Sequence, residues 1–438
     1  MSSKANIKNM NQEKKHELKP KLRFPEFLDA GEWEVKPLES MCFLITKGTT
    51  PTTLGFQFVG SGIGFIKIES IDQNGSINCK QVTYITEECD QALKRSRLEE
   101  NDILFSIAGA LGIVALVPSH VLPANINQAL AIIRIKPEYS HHYLMRFLNS
   151  HLIQSEILRI KAGAAQLNIS LSQLGNFQVL LPARIEQQKI ADCLSSISDR
   201  ITLETQKLNT LKTHKKGLMQ QLFPAEGETM PKLRFPEFQD SGEWEDHSLA
   251  KISTRIIEKV GDLFLMPVSI TAGQGFVSQA EKFGRNIAGQ QYKNYIVLNK
   301  GEFAYNKGNS KKYPQGCIYK LKEFQQVAAP NAFICFRLKN EYVSGFYQCY
   351  FEANFHGLQL QKFITSGARS DGLLNVSPDD FFSMKFLAPN KEEQQKIADC
   401  FSSLDELIAA QAQASDTLKT HKKGLMQQLF PSVEEVKG

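Results

Sequence analysis

Three segments of this 438-residue chain occur twice. Pro20-Lys-Leu-Arg-Phe-Pro-Glu-Phe27, followed by Gly31-Glu-Trp-Glu34, returns as Pro231 to Phe238 followed by Gly242 to Glu245, an offset of 211. Glu186-Gln-Gln-Lys-Ile-Ala-Asp-Cys193 returns as Glu393 to Cys400, an offset of 207. At the same offset Leu211-Lys-Thr-His-Lys-Lys-Gly-Leu-Met-Gln-Gln-Leu-Phe-Pro224 returns unchanged as Leu418 to Pro431. The stretches between, from Trp33 to Glu186 and from Trp244 to Glu393, share little text. Self-similarity on this scale marks a duplicated unit. A duplication that kept its ends and let its middles diverge suits two domains doing one kind of job on two different targets, held by a shared frame.

The frame is helical. Ile190, Leu194, Ile197, Ile201, Glu204, Leu208, Leu211, Lys215, Leu218 and Leu222 alternate spacings of four and three, a heptad seam of the coiled-coil kind. The second copy carries Ile397, Phe401, Leu404, Ile408, Gln411, Ser415, Leu418, Lys422, Leu425 and Leu429. Rods of about 36–40 residues reach about 55–60 Å, and two from one chain can bury their seams on each other. An ordinary helical bundle is the blander alternative. The polar seam members Glu204, Gln411, Lys215 and Lys422 are expected to fix register. Asn390 with Glu393 suggests a capping box, and Pro224 and Pro431 end the helices. Gly217 and Gly424 either permit close helix approach or mark fraying.

The diverged stretches are strand-rich and mixed. Strands are expected over 64–68, 102–106, 112–117 and 129–135, then a helix over 143–159; the second copy has strands over 302–306, 316–319 and 332–337 and a helix over 343–355. Asn168-Ile-Ser170 matches Asn375-Val-Ser377. The loops carry the chemistry. Asn306, Lys307, Asn309, Ser310, Lys311, Lys312 and Tyr313 crowd cations, amides and an aromatic into one turn. Lysines neutralise phosphates, and Asn or Gln can read adenine in the major groove. Lys47, Thr49, Thr50 and Lys67 are a sparser set in the first copy, and Asn125, Asn127 and Gln128 are a polar cluster whose nearest counterpart is Asn331. Gln166 and Arg369 sit in polar loops after the helices. Each of these residues singly also suits a solvated turn.

Composition narrows the classes. The chain is 22% charged and 42% hydrophobic with a formal charge of +5, which permits a nucleic-acid partner without requiring one. Its eight cysteines form no Cys-x-x-Cys pair and no zinc spacing, so they are expected to be reduced thiols, and no metal site is expected. No signal-peptide core and no stretch approaching about 20 apolar residues is present, and a cytoplasmic, non-membrane protein is expected. GxxxxGK[ST], GxGxxG and Gly-x-Ser-x-Gly are missing, as is the Asn/Asp-Pro-Pro-aromatic motif of adenine methyltransferases. No catalytic residue is assigned.

The duplicated plan, with its Leu-Pro…Glu-Gln-Gln-Lys-Ile-Ala segments, Gly-Glu-Trp starts and the Gly-Asp-Ile-Leu-like run at 101–104, resembles the specificity subunits of bacterial type I restriction–modification systems from about residue 20 onward. The resemblance implies an α+β chain with a pseudo-two-fold repeat. Target recognition domains at 20–184 and 225–391 would each read half of a bipartite DNA site. Spacer helices at 185–224 and 392–431 would pack as an antiparallel coiled coil, leaving a charged extension at 1–19 and a tail at 432–438. It also implies double-stranded DNA as ligand, two methyltransferase subunits that carry S-adenosylmethionine, and restriction subunits that use ATP and magnesium. None of these cofactors is expected on this chain. From another class, a coiled-coil scaffold that binds only proteins is the competing reading; steep salt dependence of duplex binding discriminates against it.

Overall fold

The computed structural model describes residues 18–72, 75–162, 168–271, 273–285, 287–308, 313–364 and 374–431. The chain divides into two compact units, and the division cuts both long helices. Unit 1 holds the residues up to Thr205 together with those from Gln413 onward, and unit 2 is Gln206–Ala412. Helix α1 is Arg184–Leu222 and helix α2 is Lys391–Leu429, 39 residues each. Every seam position named above is buried or half-buried along both helices, as a period of 3.5 requires of a face turned inward.

Within unit 1 the start of α1 meets the end of α2. Ile190 and Leu194 share a core with Leu429 and Phe430, and the Thr205 and Ser415 hydroxyls lie 3.4 Å apart. The ascending and descending numbers make this pairing antiparallel. Phe430, just past α2, stacks edge-on to Trp33 and Phe147 with centroids 6.4 and 5.6 Å away. Unit 2 repeats the device with the opposite helix ends. Leu222 and Phe223 share a core with Ile397 and Phe401, and Phe223 meets Trp244 and Phe346 at 6.0 and 5.2 Å.

The repeated motifs explain one another. Arg23 donates through Nε and Nη2 to the two carboxylate oxygens of Glu186, both at 2.8 Å, and through Nη1 to the Ala30 carbonyl. Arg234 does the same to Glu393, at 2.8 and 2.7 Å, and to the Gly242 carbonyl. These fork-to-fork pairs are almost sealed from water, with side chains 6% and 1% exposed in both copies. Gln187 and Gln394 each accept from a helix N-terminal amide, of Ser140 and Val343, and donate to a proline carbonyl. Lys189 pairs with Glu26, and Lys396 with Glu237, at 3.0 Å. The Glu-Gln-Gln-Lys text is thus a clasp between a long helix and the entry segment of its unit. It also corrects the expected capping box. The Glu393 amide donates to Asn390 Oδ1 at 2.9 Å, but the Glu393 side chain is committed to Arg234 instead of returning to the cap.

Each unit carries a four-stranded antiparallel sheet. In unit 1 it consists of β1 (Cys42–Lys47), β2 (Ile103–Ser106), β3 (Val114–Leu116) and β4 (Leu130–Ile135), in the order β1-β4-β2-β3. In unit 2, β5 (Ser253–Ile256), β6 (Phe303–Asn306), β7 (Cys317–Lys320) and β8 (Ile334–Leu338) repeat that order as β5-β8-β6-β7. The repeat therefore extends through text that no longer matches. Registers agree as well: Thr46, Ile132 and Leu104 form one row, and Ile256, Cys335 and Ala304 form its counterpart. Smaller sheets differ. Beyond a matched strand pair in each unit, Glu34–Pro37 with Gln178–Leu181 and Glu245–Ser248 with Lys385–Ala388, unit 1 adds a three-stranded sheet of Ile63–Ile66, Thr83–Ile85 and Ala124–Ile126, and unit 2 adds two strand pairs.

Two expectations about helices change. The helix expected over 143–159 is two, His141–Leu148 and His151–Ala162, broken at Asn149 and Ser150, residues whose side chains compete for backbone groups. The one expected over 343–355 ends at Glu352, and Asn354, at φ 61°, turns the chain into Phe355–Gln361. Ser170 and Ser377, the matched serines, both cap short helices, accepting from the amides of Gln173 and Asp380. Gly217 and Gly424 stand in open space, with nothing within 4 Å of the position a Cβ would take, so close helix approach does not explain them.

Candidate nucleic-acid interface

In unit 1 two sets of residues far apart in sequence become one surface. Gly48 lies so close to the Ile126 and Asn127 carbonyls that a Cβ would sit 2.0 and 2.5 Å from them. Only glycine fits this approach. The contact lays Lys47, Thr49 and Thr50 beside Asn127 and Gln128, and the Thr50 hydroxyl is hydrogen-bonded to Gln128 Oε1. Lys47 and Gln128 are exposed, while Thr49 and Asn127 are half-buried. Asn127 spends its Oδ1 on the Ala129 amide, at 3.2 Å. Lys67 follows Ile66, which pairs with Ile126 in the parallel neighbouring strand, and its ammonium lies 4.1 Å from the centre of the Phe58 ring.

Asn125 does not belong to that surface. It is fully buried, its Nδ2 donates to Asp90 Oδ1 and the Leu93 carbonyl at 3.1 Å, and its Oδ1 accepts from Ser96 Oγ at 2.7 Å. Asp90 in turn accepts from Arg97 Nε at 2.6 Å. With all its polar capacity used, Asn125 positions the turn Lys94–Ser96 instead of facing a ligand. That turn brings in a cation missed in the sequence. Exposed Arg95 donates to the Lys47 carbonyl at 3.4 Å. The signal for it was the basic run Lys94-Arg-Ser-Arg97.

In unit 2 the base of the lysine-rich turn is tied down. Asn306 donates to the Ile270 carbonyl and accepts from the Gly308 amide, and Lys307 Nζ donates to the Val376 carbonyl at 2.7 Å. The polar groups of these two residues point into the unit. Asn309, Ser310, Lys311 and Lys312 lie outside the described residues, as do Gln166 and Arg369. Asn331 is exposed on the turn before β8. Tyr313 is half-buried and lines a cleft of about 390 Å³ with Lys212, Lys216, Lys320, Lys322 and Glu352. The cleft joins lysines of a repeated helix to lysines of a diverged domain, a grouping the sequence order conceals. Burial, reinforced by Lys322, lowers the Lys320 pKa, and Lys320 donates to Ser344 Oγ at 2.9 Å.

The polar seam positions differ between units. Burial opposes the charge of Lys215, but Glu352 and Asp405, at 2.9 and 2.7 Å, outweigh it and raise its pKa. Lys422, its repeat in unit 1, has its pKa lowered by burial and by Arg146. Among the described residues no group of His, Cys, Asp and Glu could hold a metal ion. None of the described helices is long and apolar enough to cross a membrane.

A repeated frame presents unlike polar and cationic loops, a layout that suits recognition by loops held on rigid elements. Comparisons with known proteins agree. Residues 30–213 match the family model described as type I restriction modification DNA specificity domain. The chain is 32% identical over 135 residues to the type I restriction enzyme EcoBI specificity subunit of Escherichia coli, a match spanning 30% of this chain and 28% of that protein. It is 23% identical over 440 residues to the putative type I restriction enzyme MjaX specificity subunit of Methanocaldococcus jannaschii, covering 93% of this chain and 94% of the relative. Among solved structures, the type I restriction-modification system S subunit from M. genitalium matches with a TM-score of 0.56 at 15% identity, over 95% of this chain and all of that one. A chain from work on complex assembly and conformational transition of the type I R-M system matches with a TM-score of 0.52 at 15% identity, over 91% of this chain and 98% of that one. These two likenesses concern the fold. The chain is thus similar to type I restriction–modification specificity subunits, over residues 30–213 by the family model and over most of its length by the second relative.

Proposed function

We propose that this chain is the non-catalytic, sequence-reading subunit of a type I restriction–modification complex. Unit 1 reads one half of a bipartite duplex site and unit 2 the other. The observation that carries this reading is the matched pair of four-stranded sheets, equal in strand order and register yet edged by loops of different chemistry. Equal sheets suit one kind of ligand, and unequal loops suit two different base sequences. In unit 1, Lys47 and Arg95 would meet phosphates while Thr49, Thr50, Asn127 and Gln128 face base edges. In unit 2 the turn at 306–313, Asn331 and the lysine-lined cleft would take these roles.

On this reading α1 and α2 form one antiparallel coiled coil that sets the gap between half-sites and docks two methyltransferase subunits. S-adenosylmethionine belongs to those subunits, and ATP with magnesium to the restriction subunits, all acting on DNA in the cytoplasm. Methylome sequencing of cells carrying a chain with residues 33–185 exchanged tests the scheme. One half-site should change and the other persist. Alteration of both, or methylation without sequence preference, would refute it.

A further inference from the structure

We infer that the turn at 257–266 of unit 2 is a DNA wedge, with Phe264 and its neighbour Leu263 entering the base stack of the half-site this unit reads. The inference rests on the reading of the chain as a duplex reader and adds to it a mode of recognition.

Register locates the turn. The row of Ile256, Cys335 and Ala304 in unit 2 is the counterpart of Thr46, Ile132 and Leu104 in unit 1. Ile257 therefore stands where Lys47 stands, and the segment after it replaces the one that carries Thr49 and Thr50. The end of that edge strand thus carries an exposed lysine in unit 1 and an exposed isoleucine in unit 2. Ile257 is 68% exposed, Leu263 50%, and Phe264 entirely so.

This exposure is built, not accidental. The Leu263 amide donates to the Val260 carbonyl at 3.0 Å, closing a turn in which Gly261 has φ +55°, and the Gly261 amide donates to the Lys293 carbonyl. Tyr292 Oη accepts from the Leu265 amide at 2.6 Å and lies 2.7 Å from the Leu265 carbonyl, to which it donates. Asp262 and Lys293 brace the tip at 2.6 Å. A flexible loop would let Phe264 fold back; this one holds it out. Contiguous exposed apolar side chains mark a binding surface. Its place favours DNA over protein: the turn follows the strand end that in unit 1 leads into Lys47, Thr49 and Thr50, and Phe264 projects furthest among its exposed apolar neighbours Ile257, Leu263 and Met266, with exposed Arg255 and Lys259 offsetting Glu258 and Asp262. Apolar wedges of this kind part a base step and kink the duplex, with preference for easily unstacked pyrimidine–purine steps.

The test uses the full complex with its methyltransferase subunits and duplexes carrying the site found by methylome sequencing. 2-Aminopurine is placed at each step of the unit 2 half-site, with the unit 1 half-site as internal control. Binding should raise fluorescence at one step in the unit 2 half only. Phe264→Ala should abolish that signal and weaken binding about tenfold or more, the scale of one lost base–aromatic contact, while Phe264→Trp keeps both. A wild-type complex that binds its site selectively with no such signal, or an F264A complex that binds equally tightly, overturns the wedge and leaves the reader intact. Loss of methyltransferase subunits from F264A, with selective binding otherwise unchanged, would make the tip a protein contact and also overturn it. Binding without sequence preference by the wild-type complex would remove the reading beneath.

Discussion

Arg23 and Arg234 owe their value to the company they keep. Each neutralises a glutamate that is 1% exposed, so removing the arginine strands a buried carboxylate. Arg234→Ala should cost unit 2 about 3–5 kcal/mol, against much less for a surface pair such as Lys396 with Glu237. Urea unfolding followed by unit-specific probes would check this. A loss below about 1 kcal/mol would contradict the clasp. His356 makes a second prediction. It is fully buried and its pKa is lowered to about 3 by that burial. The unfolded chain binds the proton near pH 6.5 and the folded one only near 3. Stability is therefore fully present above about pH 6.5 and is lost as pH falls from there toward 3. Replacing His356 with Phe should flatten that slope in acid titrations of stability. The same scale shows where sequence reading succeeded. Lys47, Thr50 and Gln128 were legible as polar loop residues and do converge, whereas Asn125, an amide like Gln128, is entombed. Composition cannot distinguish an amide facing water from one holding a turn.

At the scale of elements, the heptads were legible because a helix needs only neighbours three and four positions away to express its face. The two glycines inside them are the exception that can be tested. Nothing approaches Gly217 or Gly424, so Gly→Ala at each should stabilise by roughly 1 kcal/mol by helix propensity. Thermal unfolding would show a higher midpoint for each variant and an additive gain for the pair; a lower midpoint would contradict this account. Six of the eight strands of the four-stranded sheets were legible within a few residues, being short apolar runs between Gly and Asn, whereas the edge strands Cys42–Lys47 and Ser253–Ile256 were not. Of the smaller sheets only Ile63–Ile66 was legible, since Val268–Thr271 with Gly275–Ser278, or Glu34–Pro37 with Gln178–Leu181, are marked only by partners.

For the whole molecule, the consequential fact is that each compact unit borrows the end of the other repeat's helix. Phe430 belongs to the core of Trp33 and Tyr143, although 397 and 287 positions separate it from them in the chain. A fragment of residues 18–205 should consequently fold poorly, and fusing residues 413–431 to it through a flexible linker should restore a cooperative transition. Equal stability of the two would show that the borrowed segment is dispensable. Phe430→Ala in the full chain should cost about 3–5 kcal/mol, confined to unit 1. The duplication, the seam spacing, the proline stops and the lack of familiar catalytic motifs all follow from residue order, because each depends on near neighbours or on text compared with itself. Folding in space settles which helix half joins which unit, that Arg23 finds Glu186 across 163 positions, and that Gly48 presses one candidate loop onto another. Those outcomes depend on complementary shape and on which polar groups burial forces to pair, and neither is written in any local stretch of the chain.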